Sequence, residues 1–294
     1  MEQLWEELIM SEDIRRKELA DFLKNRRQRL TPEAVGLPGS NGIRRRSSGL
    51  RREEVATLAG ISLHWYTALE QGRDIRVSDS VLESLARVLH LEQDERVHLY
   101  ILANRNAPLE SSSEAATTMQ ADPELALIVN QFGHMPAYAI DGQWNLLKWN
   151  EAASKMFGGF NHICEKSGMK NFIYLLFTDP ELRNKFVDWE TSAAMLVAAF
   201  RTAYARRMEN PCVNVIVEDL EEESAEFAEM WKRHDVRSLR ENQFRLVHPA
   251  VGELDVRSNA FYAAGYEDVT LVVYTPATVV DEEQLRKLDE VSFP

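Results

Sequence analysis

Cysteine is nearly absent from this chain. Cys164 and Cys212 are the only two in 294 residues, and they do not form a CxxC pair. That excludes a disulfide framework and a thiolate zinc cluster, and it points to reduced, partly buried thiols in a cytoplasm. No apolar run approaches the roughly 18 residues that a membrane-spanning helix needs. The opening MEQLWEELIMSED is acidic and lacks the basic-then-apolar order of a signal peptide, so no membrane partner is expected. GxSxG, GxxxxGK[ST] and HExxH are missing too, which removes the commonest hydrolase, phosphate-binding and metalloprotease signatures. The seven histidines are scattered. His234-Asp235 and His248-Pro249 stand outside any acid–base constellation and read as structural hydrogen-bonding groups between helix and sheet. The expectation is a protein with no catalytic residues, no metal site and no certain cofactor.

What is present is an ordinary globular composition with an uneven charge. The chain is 45% hydrophobic and 28% charged, and its length suits two domains, each with its own core. Residues 1–106 hold 17 Lys/Arg and 17 Asp/Glu, whereas residues 107–294 hold 17 and 30, so the whole net charge of −13 lies in the second part. Within the first part, residues 24–52 carry nine basic residues (Lys24, Arg26, Arg27, Arg29, Arg44, Arg45, Arg46, Arg51 and Arg52) against the single acid Glu33, a local +8. Such a strip is the electrostatic footprint that a nucleic-acid duplex requires. The acidic remainder would repel DNA and must do something else.

Directly after the strip comes LRREEVATLAGISLHWYTALEQGR, residues 50–73. Val55, Leu58 and Ala59 recur at helical spacing. Gly60 follows where a helix must stop in a left-handed residue. Ser62 suits the N-cap of a second helix, which carries Trp65, Tyr66 and Leu69 and ends at Gln71-Gly72. Two short helices around a glycine turn form a helix-turn-helix, whose second helix enters the DNA major groove. Ser62, Leu63, His64 and Thr67 then face base edges. Trp65 packs on sugar–phosphate or on its own domain. Arg52 reaches a phosphate or a guanine, and Arg73 holds backbone phosphate. Arg44, Arg45 and Arg46 lie along phosphates or enter the minor groove, the plainer alternative being a solvated basic loop. Glu70 reads as an internal partner for an arginine.

Around this motif, residues 12–29 predict a first helix with Leu19, Phe22 and Leu23 inward and arginines outward. Thr31-Pro32-Glu33 predicts a single turn. Ser78 opens a helix using Val81, Leu82, Leu85, Val88 and Leu89, and Gln93–Asn104 forms another through Val97, Tyr100 and Ile101. The predicted organisation is a five-helix helix-turn-helix domain over 12–105, a linker over 106–121 rich in Ser, Thr, Ala and Pro, and a second domain over 122–291. In the latter, Glu124–Phe132 reads as a helix, and Ala137–Asp141 with Trp144–Trp149 as a hairpin. Asn150 caps a short helix, Glu151–Phe157. A long helical region runs over Glu181–Met208 until Pro211 stops it. Asp219–Lys232 is a further helix, with Glu221-Glu222-Glu223 at its start. Strands Gln243–His248, Glu253–Tyr262 and Thr270–Tyr274 and a helix Asp281–Glu290 close the chain. The fold class is therefore multidomain, α followed by α+β, with a five-stranded antiparallel sheet and helices on one face.

AxLAGIS, followed by Tyr66, Leu69-Glu70 and Gln71-Gly72-Arg73, is similar to the helix-turn-helix of the Cro/XRE-type regulators. GLRREEVATLAGIS, preceded by LTPEAVGLP and a run of arginines, resembles the MmyB-like branch of that family. WNEAA, NFIYLLFTDPELR, DWE at 188–190, FAEMWKRHDV and HPAVGELDV agree with that family's second half, so the resemblance spans residues 12–290. It implies that the second domain is PAS-like, a fold that commonly encloses a ligand. One departure is Tyr174, where the resemblance leads to an arginine.

These readings converge on a sequence-specific DNA-binding transcription regulator whose PAS-like domain senses a small apolar ligand, a fatty acid being the first candidate. Trp149, Met156, Phe172, Leu176, Trp189, Leu196 and Phe200 would form the apolar wall, and Arg201 or Arg257 would meet the carboxylate. The same side chains also suffice for a solid core, which would make the second domain a protein-interaction or dimerisation module without ligand. Regulators of this kind double up on two-fold operators, so a homodimer is expected.

Overall fold

The computed structural model describes residues 2–38, 49–103, 123–158, 160, 168, 170–208, 211–239, 241–263, 266 and 268–291. The predicted linker 106–121, the triplet Arg44, Arg45 and Arg46, and Cys164 lie outside the described residues. The chain forms two compact units, the first built from the N-terminal helices and the second from the elements beyond Pro123.

The first unit contains α1 (Glu2–Arg29), α2 (Arg52–Ala59), α3 (Leu63–Glu70), α4 (Asp79–Val88) and α5 (Gln93–Ala103). Helix α1 begins ten residues earlier than its predicted start at residue 12. Leu19, Phe22 and Leu23 are buried together with Val55, Tyr66, Leu69, Leu82 and Leu85. Two expectations change on packing. Helix α5 buries His98, Leu99 and Leu102 and leaves Val97 exposed. Its inward face is the one turned to α1, where His98 meets Phe22 edge-on at 5.1 Å. The arginines of α1 are not all outward either. Arg26 and Arg27 are buried, with Arg26 facing Glu95 at 3.2 Å. The outward positive charge is thus smaller than the count over residues 24–52 suggests.

Gly49 sits where the chain crosses the end of α1. A Cβ there would lie 2.5 Å from the Gln28 carbonyl oxygen and 2.6 Å from its Cα, and backbone cannot swing aside. Gly49→Ala is expected to destabilise the first unit by about 1–3 kcal/mol through overpacking. Urea titration of the full chain checks this, and an unchanged midpoint would count against it.

The second unit contains α6 (Pro123–Asn130), β1 (Ala137–Ile140), β2 (Leu146–Trp149), α7 (Glu151–Phe157), α8 (Phe172–Thr178), α9 (Pro180–Arg183), α10 (Trp189–Ala205), α11 (Pro211–Glu223), α12 (Ala225–Trp231), β3 (Glu241–His248), β4 (Gly252–Tyr262), β5 (Thr270–Pro276) and α13 (Val279–Glu290). The five strands form one antiparallel sheet in the order β2-β1-β5-β4-β3. Strand side chains alternate between faces, and here helices occupy both faces rather than the predicted one. Ala137 and Ala139 of β1 pack with Leu125 and Val129 of α6, while Tyr138, between them, packs with Phe157 and Phe172 on the other side. The small alanines let α6 approach closely, so β1 is buried along its whole length.

Several predicted boundaries shift for local reasons. The region Glu181–Met208 is split, with α9 ending at Arg183 and α10 starting at Trp189. Pro211 starts α11 instead of ending a helix, because its missing N–H and fixed φ suit a first turn. Ser224 separates α11 from α12 and caps the latter by accepting from the Phe227 N–H at 3.2 Å. Glu221-Glu222-Glu223 therefore lies at the C-terminal end of α11.

Candidate functional site

The first candidate surface is built on an ion cluster inside the N-terminal unit. Glu70, the last residue of α3, has a fully buried carboxylate. Arg27 of α1 donates to it twice, Nε to Oε1 at 2.5 Å and Nη2 to Oε2 at 3.1 Å, and Arg52 at the start of α2 donates Nε to Oε2 at 2.6 Å. Arg27 also donates to the Leu50 carbonyl at 2.6 Å. Three helices and the segment leading into α2 thus meet at one carboxylate. Burial alone would raise the Glu70 carboxyl, but the hydrogen bonds from Arg27 and Arg52 outweigh it and hold it below the usual carboxylate range. Burial pushes the phenol of Tyr66 far up, and the nearby Glu70 charge adds to the shift.

That cluster fixes the back of α3 and leaves its front open. Gly60 ends α2 at φ 72°, and Ser62 caps α3 by accepting from the Trp65 N–H at 3.1 Å. Ser62, Leu63 and His64 are exposed, Trp65 and Thr67 are half-buried, and Tyr66 and Leu69 are in the core. The first turn of α3 projects while its last turn is locked. Arg73 and Arg76 are exposed just beyond it. They share a polar cleft of about 630 Å³ with Arg15, Arg16 and Asp74.

The second unit is organised by its aromatics. From Tyr138 (β1) contacts run to Phe172 (α8), Trp144, Phe200 (α10) and Trp231 and Phe227 (α12). They continue through Phe177, Trp189, Phe186 and Phe244 (β3) to Tyr274 (β5) and back to Tyr138. Neighbouring ring centroids are 5.1–6.4 Å apart all the way round, so the path is a closed circuit between sheet and helices.

Polar groups hold the circuit in place. Asp141 accepts from the N–H groups of Gln143 and Asn145 at 2.8 and 2.9 Å and from the Asn145 amide at 2.9 Å. Asn171 donates to the Gln143 carbonyl at 2.8 Å and to Asn145 Oδ1 at 3.0 Å, while its own oxygen caps α8. The hairpin turn so fixed holds Trp144 at φ 67°, a region costly to a bulky side chain, with its indole buried against Phe172 and Phe200. The hydroxyls of Tyr138 and Tyr274 lie 3.2 Å apart. Burial drives Tyr138 well up and pushes Tyr274 up to about 12, so both are neutral near physiological pH.

Two family models match the chain. A helix-turn-helix domain model covers residues 18–99, and the model of the MmyB-like transcription regulator ligand binding domain covers residues 121–288, more than half the chain. No curated protein matches it. The chain belongs to the MmyB-like transcription regulators. An N-terminal DNA-binding module joined to a ligand-binding domain makes it a ligand-regulated transcription regulator. Among the described residues no helix is long and apolar enough to cross a membrane.

In this MmyB-like regulator the residues predicted for the ligand fall into four groups. Phe172, Trp189 and Phe200 belong to the aromatic circuit, and Met156, Leu176 and Leu196 are buried in the same unit. Trp149 is half-buried, touching Phe160 with the Lys170 ammonium 5.1 Å above its ring. The two predicted cations diverge. Arg201 is fully buried, stacked 3.6 Å over Trp231, and bonded to the Trp231 carbonyl and to His234. Arg257 is a correction: it is exposed, on the opposite side of β4 from the buried Val256 and Ser258, so it cannot meet a ligand among the aromatics. Tyr174, in the place where an arginine was expected, donates to Glu223 at 3.0 Å.

Sequence reasoning missed Tyr138, Phe244, Tyr274, Asn242 and Ser258. Each occupies an inward position of a strand: the two-residue alternation within the predicted strands marks Tyr138, Phe244, Ser258 and Tyr274, and only starting β3 at Glu241 brings in Asn242.

Proposed function

We propose that this protein binds a two-fold operator as a homodimer and that an elongated apolar molecule, with a fatty acid as the first candidate, binds among the aromatic side chains of its second domain. Occupancy then shifts the population of operator-competent dimers. The observation that carries the DNA half is the exposed first turn of α3, Ser62–His64, on a helix whose far end is locked by Arg27, Glu70 and Arg52. The closed circuit supports the ligand half, since small-molecule sites are largely apolar and aromatic with few polar groups.

His64 and Thr67 read base edges in this proposal, with Leu63 against a thymine methyl. Ser62 donates its proton to the DNA while its oxygen caps the helix. Trp65, Arg52 and Arg73 position the backbone, with Arg44, Arg45 and Arg46 adding charge. His64→Ala and Thr67→Ala are each expected to cost about 1–3 kcal/mol on the operator and little on random DNA. Arg73→Ala is expected to weaken both alike and to lower the salt slope by about one. Fluorescence anisotropy at two salt concentrations measures all three, and equal losses on operator and random DNA would remove the base-reading assignment. For the ligand, native mass spectrometry and lipid extraction of the purified protein are expected to find a co-purifying apolar molecule. If none co-purifies and none binds, the second domain is a protein-contact or dimerisation module.

A further inference from the structure

The chain leaves α3 as a non-helical segment, residues 73–78, before α4 begins. Gly72, at φ 68°, lies against the α1 backbone at Arg16, and Arg16 reaches Asp74 across 3.6 Å. Within the segment Ile75 and Val77 are half-buried, and Arg76 between them is turned outward. Arg73 and Arg76 both line the cleft of about 630 Å³ that this segment shares with α1. Charge decides what the cleft can hold. Its walls carry four arginines against three carboxylates. Arg16 is committed to Glu12, Asp13 and Asp74, and Arg15 donates to the Leu102 carbonyl. Among the described residues, the side chains of Arg73 and Arg76 have neither a hydrogen-bond nor an ion-pair partner.

We propose that this cleft seats the sugar–phosphate backbone of the duplex and that Arg76 grips a phosphate there beside the one held by Arg73. This deepens, and rests on, the reading that the first unit binds DNA. Two open guanidiniums suit phosphate oxygens, which they meet through paired N–H groups. A free anion gains little in the cleft, because exposed ion pairs contribute little in water and three carboxylates oppose it. A phosphate of a duplex already held by α3 is present at high effective concentration, so two such contacts are enough. The scale fits as well. Helix α3 has eight residues and is about 12 Å long, the width of the major groove. With its first turn at the base edges, its far end reaches a groove wall, where phosphates run.

The test uses the full chain and a fluorescent random-sequence duplex of about 30 base pairs, since a phosphate contact is blind to base identity. Anisotropy is followed over a series of potassium chloride concentrations. One lost phosphate contact lowers the salt slope by about 0.9, so Arg76→Ala is expected to bind about eightfold more weakly at 0.1 M salt and about twofold at 0.4 M. Arg73→Ala combined with Arg76→Ala is expected to lower the slope by about 1.8. Arg76→Lys keeps the charge and is expected to keep the slope. Arg87 is exposed on α4 and outside the cleft, so Arg87→Ala is expected to leave the slope unchanged. All these positions are exposed, and the variants are expected to melt with the wild type. Inorganic tripolyphosphate, titrated by calorimetry, is expected to bind more weakly than about 1 mM. A wild-type slope in Arg76→Ala overturns this inference while the DNA reading stands, as does an equal loss in Arg87→Ala, the mark of net charge alone. Micromolar tripolyphosphate binding that Arg76→Ala abolishes also overturns it, making the cleft a site for a free anion. A wild type without salt-sensitive affinity for the duplex overturns the DNA reading itself.

Discussion

Glu70→Ala is expected to cost the N-terminal unit about 3–5 kcal/mol, the range for removing one partner of a buried ion pair. The carboxylate is fully buried and the Arg27 side chain is only 9% exposed, so the substitution strands a guanidinium with little water to turn to. Arg52, whose side chain is 43% exposed, can re-solvate and contributes less to the loss. Urea unfolding of the full chain, with hydrogen exchange reporting on α1 to α3, measures the effect. A loss below about 1 kcal/mol, the scale of a surface pair, would show that the cluster does not hold the motif together. Removing both charges, as in Arg27→Met with Glu70→Leu, is expected to recover part of the stability, because a well-packed apolar pair avoids desolvation. It is not expected to restore operator binding, since Arg52 would still lack the anchor that sets the start of α2. The pH dependence has a definite sign. Glu70 titrates below its unfolded value, so its contribution is complete above the ordinary carboxylate range and disappears as pH falls through the depressed value. Wild type and Glu70→Ala should therefore converge in acid.

The second large effect is in the other unit. Phe200→Ala is expected to destabilise the ligand-binding domain by about 3–5 kcal/mol, the range for emptying a buried aromatic site. Phe200 is fully buried, and its ring touches Trp144 at 5.5 Å and Trp231 at 6.0 Å. It therefore joins the strained hairpin turn to α12. Thermal melts followed by near-UV circular dichroism, where Trp144 and Trp231 contribute, report the loss. The hydrogen-exchange protection of α2 and α3 is expected to stay unchanged, because the two units have separate cores. A shift of less than about 1 kcal/mol would mean that neighbouring rings collapse into the space.

The helix-turn-helix was legible because its signals are local. A left-handed stop at Gly60, a cap at Ser62 and apolar residues at helical spacing all act within a few residues, and each is in place. Asn150 is another case, since its side chain caps α7 where the reading placed it, accepting from the Ala153 N–H at 2.9 Å. The misses share a different character. Pro211 has one local conformation compatible with either the end or the start of a helix, and only the chain beyond it decides which. Val97 and Leu99 are both apolar on α5, and the choice between them depends on where α1 lies.

Charge shows the same division. Composition alone put all the net negative charge after residue 106 and a basic strip before α2, and a family match to a DNA-binding module accords with that asymmetry. It could not tell a solvated arginine from a buried one. Arg26, Arg27 and Arg201 are interior groups because Glu95, Glu70 and Trp231 come to them from 69, 43 and 30 residues away.

By itself, then, the sequence determined which segments become helices, turns and strands near the motif, and which half of the chain suits a duplex, since those follow from spacing and composition. The tertiary structure alone decided which face of each strand looks inward and which arginines are withdrawn from solvent. The reason is that burial is settled by partners distant along the chain, and a one-residue change of strand register carries every side chain to the opposite face.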